Sequence, residues 1–148
     1  MRAVVQRVKK ASCYVEGKKI GAIDKGIVIF LGIEKEDTAL EAEYLAKKIV
    51  NLRIFEDCRG KMNLSLHQVK GEVLIISQFT LLGDCRKGLR PNFIRAAPLE
   101  VARRLYEFFV ELMQREVGKV EKGKFGARMR ILVDNEGPVT LILDSPEE

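Results

Sequence analysis

Apolar and polar residues alternate through the first third of the chain, over Arg2 to Val8, Ser12 to Val15, Lys18 to Ile23 and Ile27 to Ile33. Gly17 and Asp24-Lys25-Gly26 separate these runs, so the pattern predicts a meander of strands. The period then lengthens. Thr38-Ala39-Leu40-Glu41 has the spacing of a capping box, and Leu40, Tyr44, Leu45, Lys48, Ile49 and Leu52 follow at roughly helical intervals, which predicts a helix from Thr38 to Asn51. Short apolar segments at Leu52 to Phe55 and Val73 to Ile76 flank the polar turn Glu56-Asp57-Cys58-Arg59-Gly60-Lys61, and both are expected to pair into the sheet. Near Pro98 a second helix begins, with Val101, Ala102, Leu105, Phe108, Phe109, Leu112 and Met113 on one face and Gly118 at its end. Val120, Met129 to Val133 and Val139 to Leu143 supply the last strands. The fold class expected is mixed α and β: one layered domain over residues 1–148, its largely antiparallel or mixed sheet covered by two helices.

Composition narrows the functional classes. A chain of 148 residues that is 47% hydrophobic holds one proper core. The excess of 26 Lys and Arg over 21 Asp and Glu, a net charge of +5, favours a polyanionic partner. Cys13, Cys58 and Cys85 are odd in number and form no C-x-x-C pair, and no signal peptide precedes them, which fits a reducing cytoplasm. No apolar run approaches the ~20 residues of a membrane span, so no membrane partner is expected. With His67 the only histidine, multi-histidine metal sites are excluded, and any Ser-His-Asp or Cys-His mechanism must run through that residue, which reads as part of a surface turn. Neither a metal nor a cofactor is expected.

Three segments carry candidate chemistry. Leu74-Ile75-Ile76 runs into Ser77-Gln78-Phe79-Thr80-Leu81, so hydroxyls, an amide and an aromatic ring arrive at the end of a buried strand, where they either serve a substrate or satisfy local backbone. Downstream, Asp84-Cys85-Arg86-Lys87-Gly88-Leu89-Arg90-Pro91-Asn92-Phe93 is a basic loop suited to phosphates, or simply solvated. Lys119, Lys122, Lys124, Arg128 and Arg130 extend the positive charge around Gly123-Lys124-Phe125-Gly126-Ala127. The third segment, Asn135-Glu136-Gly137-Pro138-Val139-Thr140, lies between two apolar runs and reads either as a hairpin turn or as a device that exposes backbone.

In this order the segments closely resemble the D-aminoacyl-tRNA deacylases, nearly end to end. The resemblance rests on Met1-Arg2-Ala3-Val4-Val5-Gln6-Arg7-Val8, Asn51-Leu52-Arg53-Ile54-Phe55, Lys61-Met62-Asn63-Leu64-Ser65, and above all on the pair Ser77 to Leu81 and Asn135 to Thr140. Arg86-Lys87-Gly88, Arg90-Pro91 and Phe125-Gly126-Ala127 also fit. Cys85, Leu82-Gly83 and Arg128 depart from the common pattern and bear on tRNA preference rather than on the reaction.

The resemblance implies a cytoplasmic homodimer acting on aminoacyl-tRNA, in which a cis Gly137-Pro138 bond reaches into the partner subunit's pocket and rejects L-residues by backbone clash. It implies catalytic positions at Ser77, Gln78, Phe79 and Thr80, a chirality filter of Gly137, Pro138, Arg7, Phe125 and Met129, and tRNA contacts from Arg86, Lys87 and Arg90. Arg7 matches the position that supports the Gly-Pro segment across the dimer. Attack is expected to be assisted by the terminal ribose 2′-OH of the tRNA, with backbone amides near Phe79 as the oxyanion hole. A Thr80 nucleophile lacks an adjacent base in the sequence. Glycine mischarged on tRNA-Ala is a second expected substrate, since a filter against L side chains does not exclude it. Two alternatives are a non-catalytic RNA- or DNA-binding module using the basic loop and a related deacylase with a trans Gly-Pro acting on L-alanyl-tRNA.

Overall fold

The computed structural model describes residues 1–147, so only Glu148 of the expected 1–148 domain lies outside the described residues. Its centre is the long strand β1 (Arg2–Val15). On one edge β1 pairs with β3 (Gly26–Gly32) and then β2 (Lys18–Ile23), and on the other with β8 (Arg130–Asp144), all antiparallel. Beyond β3 the sheet continues through parallel pairings with β6 (Glu72–Ser77) and β7 (Val120–Lys122). The mixed sheet therefore runs β2-β1-β3-β6-β7, with β8 added to β1.

Strands β3 and β6 are buried on both faces, which explains their nearly unbroken apolar runs. Ile27, Ile29, Leu31, Val73 and Ile75 face a core shared with two helices, α1 (Ala39–Asn51) and α3 (Leu99–Glu116). Val28, Leu74 and Ile76 face a second core with Val8, Ala11 and Cys13, against which Met129, Ile131 and Val133 pack. The expected capping box forms: Thr38 Oγ1 accepts from the Leu40 N–H at 3.2 Å, and the Glu41 carboxylate accepts from the Thr38 N–H at 2.6 Å. The Thr38 hydroxyl also donates to the Glu41 carboxylate at 2.7 Å, and this bond, more than the one from the Thr38 N–H, holds the Glu41 carboxyl below its usual range.

Several expectations require correction. Arg2 to Val8 and Ser12 to Val15 are one strand, and irregularities at Gln6/Val8 and Val8/Lys10 in the β1–β8 ladder produce the apparent break. They separate a half whose Ala3 and Val5 join the helix-side core from a half whose Ala11 and Cys13 join the other core. Leu52 to Phe55 does not enter the main sheet. Only β4 (Phe55–Glu56) forms there, pairing with β5 (Met62–Leu64) in a separate two-stranded ribbon. His67 sits in a short helix, α2 (Leu66–Val69), capped by Ser65, rather than in a turn. The buried stripe of α3 is Leu105, Tyr106, Phe109, Val110 and Met113; Phe108 and Leu112 are only partly covered. The helix ends at Glu116, before Gly118. Among the described residues, no helix is long and apolar enough to cross a membrane.

Candidate active site

Where β6 ends, the chain turns from Ser77 through Gln78 into a single 3-10 turn over Phe79–Leu82. The Gln78 N–H donates to the Leu31 carbonyl at 2.8 Å, which fixes the exit of β6 against the end of β3. Beside this corner lies a cleft of about 430 Å³. Ser77, Gln78 and Phe79 form one wall, Phe125, Gly126, Ala127 and Met129 another, and Ala96, Ala97 and Leu99 a third. Leu31, Ile33 and Ile76 contribute to an apolar floor.

Local packing sets these positions. The Phe79 ring, half in solvent at 56% exposure, meets the Phe93 ring edge-on with centroids 5.1 Å apart. Phe125 rests against the buried Tyr106 ring at 5.9 Å, while the Arg103 guanidinium stacks over Phe125 at 5.4 Å. Met129 is seated by Gly123, where a Cβ would come within 2.6 Å of the Met129 Sδ. Tyr106 is fixed in turn by its hydroxyl, which donates to the Ile75 carbonyl at 2.7 Å; burial pushes that phenol well above its ordinary range.

The chemistry of the wall is mostly main chain. Among the described residues, no acceptor pairs with the N–H of Phe79 or of Thr80, which begin the turn. Thr80 is exposed and lies outside the cleft lining, its hydroxyl accepting a hydrogen bond from the Gln78 side-chain amide. The residues lining the cleft include no ionisable side chain. His67 is engaged elsewhere, with its Nε2 3.4 Å from the Glu116 carboxylate. The described residues contain no group of His, Cys, Asp and Glu side chains arranged to hold a metal ion.

Gly137 and Pro138 are exposed and form no part of the cleft in their own chain. The segment is not a hairpin turn, because both flanking runs pair with β1. Gln6 is opposite Thr140 and Val8 opposite Asn135, so residues 136–139 bulge out facing the single residue Arg7. The Gly137-Pro138 peptide is cis, unlike the trans alternative considered from sequence, and Gly137 has φ +125°, a value that favours glycine. Asn135 brackets the bulge, its side-chain oxygen accepting from the Val139 N–H at 3.2 Å and its amide donating to Thr140 Oγ1 at 2.9 Å.

Arg7, 5% exposed, supports the bulge from below. Its Nε donates to the Glu136 carbonyl at 3.1 Å, its Nη1 to the Ile54 carbonyl at 2.8 Å, and its Nη2 lies 3.7 Å from Glu56. These contacts are all made within one chain. The unpatterned segment Leu52 to Phe55 thereby gains a role: it supplies a carbonyl for Arg7.

The tentative tRNA contacts are spread unevenly. Arg86, Lys87 and Arg90 are all exposed on the loop after the 3-10 turn, but Arg86 folds back on Asp84 through two side-chain bonds of 2.9 and 2.6 Å. That pairing, with the Arg86 N–H, holds the Asp84 carboxyl down at about 2. The sequence reasoning missed the third wall, Ala96, Ala97 and Leu99. Its signal was the run of small residues ahead of Pro98, where little side-chain bulk fills the space above β3.

Comparison with known proteins agrees over the whole chain. The family model described as D-Tyr-tRNA(Tyr) deacylase matches residues 4–144. A protein of Desulfatibacillum aliphaticivorans named D-aminoacyl-tRNA deacylase is 61% identical over 98% of this chain and 99% of its own length. Its counterpart of the same name in Thermosipho melanesiensis is 58% identical, over 98% of this chain and 97% of that one. A solved structure named c-Myc DNA Unwinding Element Binding Protein superposes with a TM-score of 0.94 at 45% identity, covering 99% of this chain and all of that one. By the family model and by both relatives, this chain belongs to the D-Tyr-tRNA(Tyr) deacylase family.

Proposed function

We propose that the protein hydrolyses the ester joining a D-amino acid to tRNA and spares L-aminoacyl-tRNA. One observation carries this reading: a cleft without ionisable side chains is lined by Phe79, whose N–H has no acceptor among the described residues. An aminoacyl ester is already activated, so the site need only orient it, stabilise the tetrahedral oxyanion and admit a nucleophile. One such donor is worth ~2.7–4 kcal/mol of transition-state stabilisation. The terminal ribose 2′-OH of the tRNA assists the attack, while Ser77 and Gln78 shape the corner that presents the amides.

Selectivity comes from Gly137 and Pro138. Their exposure and their absence from the cleft of their own chain support delivery by a second copy, with a homodimer as the working unit. Strand β8 supports that assembly: among the described residues it pairs only with β1, and Leu132 and Ile142 on it are exposed at 45% and 69%. In the assembled site the Gly137 carbonyl receives the substrate's α-amino group, and an L side chain runs into the bulge. Phe125 and Met129 line the pocket that the filter closes. Glycine, having no side chain to reject, is turned over too, including on tRNA-Ala.

The test is single-turnover deacylation of D-Tyr-tRNA by the wild type and by Thr80→Ala, with the same tRNA lacking the terminal 2′-OH as a third arm. The reading expects release of free D-tyrosine, modest loss in Thr80→Ala and a severe loss with the deoxy substrate. Loss by many orders in Thr80→Ala with normal turnover of the deoxy substrate overturns the RNA-assisted route. A second reading, nucleic-acid binding without turnover, is favoured by the printed name of the 45% identical structure. Tight tRNA binding with no release of amino acid would establish it instead.

A further inference from the structure

A second basic surface, beside the Met129 wall of the cleft, is used by none of the steps above. Tyr14 stands at the end of β1 with Lys19 of β2 as its partner on one side and Arg130 of β8 on the other. Directly paired residues on neighbouring strands share a face of the sheet. Accordingly, the Arg130 guanidinium lies 4.9 Å from the Tyr14 ring centroid and the Lys19 ammonium 5.9 Å from it. A ring bracketed by two cations restrains both while leaving their N–H donors outward.

Tyr14 and Arg130 line a shallow groove of about 320 Å³ together with Arg128, Met129, Glu16 and Gly17, and Lys19 adjoins it through the Tyr14 ring. Met129 also lines the cleft, so groove and cleft share this residue. Lys19, Arg128 and Arg130 are exposed, and among the described residues none of them forms an ion pair. Arg86, on the loop after the 3-10 turn, already spends its fork on Asp84. Glu16 is the one anion in the lining, against two arginines there and the neighbouring Lys19.

We propose that this groove is the track along which the sugar-phosphate backbone of the tRNA leaves the cleft, with Arg130 and Lys19 contacting phosphates and the Tyr14 ring holding them in place. The proposal rests on the deacylase reading for the identity of the RNA. It adds that the acceptor arm is gripped on the Met129 side, and that the Arg86 loop contributes less than its composition suggests. Exposed cations that act without reading bases bind phosphates in proportion to the counterions they release.

The test compares Lys19→Gln/Arg130→Gln with Lys87→Gln/Arg90→Gln on two substrates, D-Tyr-tRNA and the D-tyrosyl ester of adenosine, between 50 and 200 mM salt. For the groove variant on tRNA, kcat/KM at low salt is expected to fall roughly 10-fold, and the slope of log kcat/KM against log salt to flatten by roughly 1.4–1.8. Its turnover of the adenosine ester should stay at the wild-type value, and the loop variant should lose clearly less on tRNA. A groove variant with wild-type rate and salt slope on tRNA overturns the proposal, as does an equal loss on the adenosine ester. Equilibrium binding of uncharged tRNA separates the two readings. If the wild type hydrolyses neither substrate, the deacylase reading fails, yet a roughly 10-fold weaker affinity in the groove variant still supports the track, and unchanged affinity rejects it.

Discussion

Replacing Arg7 with methionine keeps most of the buried stem and removes the guanidinium that ties three parts of the chain together. Two charge-assisted hydrogen bonds disappear, to the Glu136 carbonyl at 3.1 Å and the Ile54 carbonyl at 2.8 Å. Each is worth about 1.5–3 kcal/mol, so the expected loss of stability is about 3–6 kcal/mol, part of it from the buried Ile54 carbonyl left without this donor. The Glu56 contact adds little, because at 3.7 Å that carboxylate remains 59% exposed. Urea unfolding followed by circular dichroism measures the effect. With a slope of about 2 kcal/mol/M, the midpoint should fall by about 1.5–3 M. Arg7→Lys, whose single ammonium cannot fork between both carbonyls, should fall about half as far. Activity should suffer beyond stability, because the bulge of residues 136–139 loses its support: below the new midpoint, discrimination between D- and L-Tyr-tRNA should narrow. A midpoint within about 0.3 M of wild type, together with unchanged discrimination, would refute the assignment of Arg7 as the support of the filter.

Other outcomes follow from the same geometry. Gly137→Ala forces a side chain onto φ +125°, with its Cβ 2.9 Å from both Arg7 Nη2 and Val139 Cγ2. It should cost about 1–3 kcal/mol by calorimetry and at least about 10-fold in kcat/KM on D-Tyr-tRNA; undiminished turnover contradicts the filter. Since no ionisable side chain lines the cleft, the single-turnover rate should rise smoothly with pH from 5.5 to 8. A falling limb already below about pH 6.5, short of the titration of the substrate's α-amino group, would reveal a protein acid or base that the site lacks. Tyr106→Phe removes the 2.7 Å bond to the Ile75 carbonyl, but that carbonyl keeps the Gly123 N–H at 3.1 Å, so the loss should be only about 0.5–1.5 kcal/mol by urea unfolding. A loss above about 3 kcal/mol would show that Tyr106 carries more of the wall behind Phe125 than its contacts indicate.

Local signals were legible where they matched a single burial environment. The Thr38–Glu41 capping box and the apolar runs of β3 and β6 needed no tertiary information, since two-sided burial leaves a continuous apolar stretch. The break near Val8 misled because a bulge interrupts alternation just as a turn does. The Asn135–Thr140 segment misled for the same reason at larger scale: looped-out residues carry turn chemistry even when the strand continues on the same partner. Of the site, Ser77, Gln78, Phe79, Phe125 and Met129 converge on one cleft, while Thr80 falls outside it and Gly137, Pro138 and Arg7 lie elsewhere in the chain. The reach of Arg7 to Ile54 was invisible in sequence, because it depends on a carbonyl 47 positions away. By contrast, the capture of Arg86 by Asp84, two residues apart, was readable as an ordinary local turn contact.

The most direct test places D-Tyr-tRNA and L-Tyr-tRNA, prepared on the same tRNA, with wild-type protein and follows release of tyrosine over time. The account predicts rapid release from the D-substrate, at least about 100-fold slower release from the L-substrate, and glycyl-tRNA on the fast side. Equal rates for the two enantiomers, or stable binding of both without release, would contradict it.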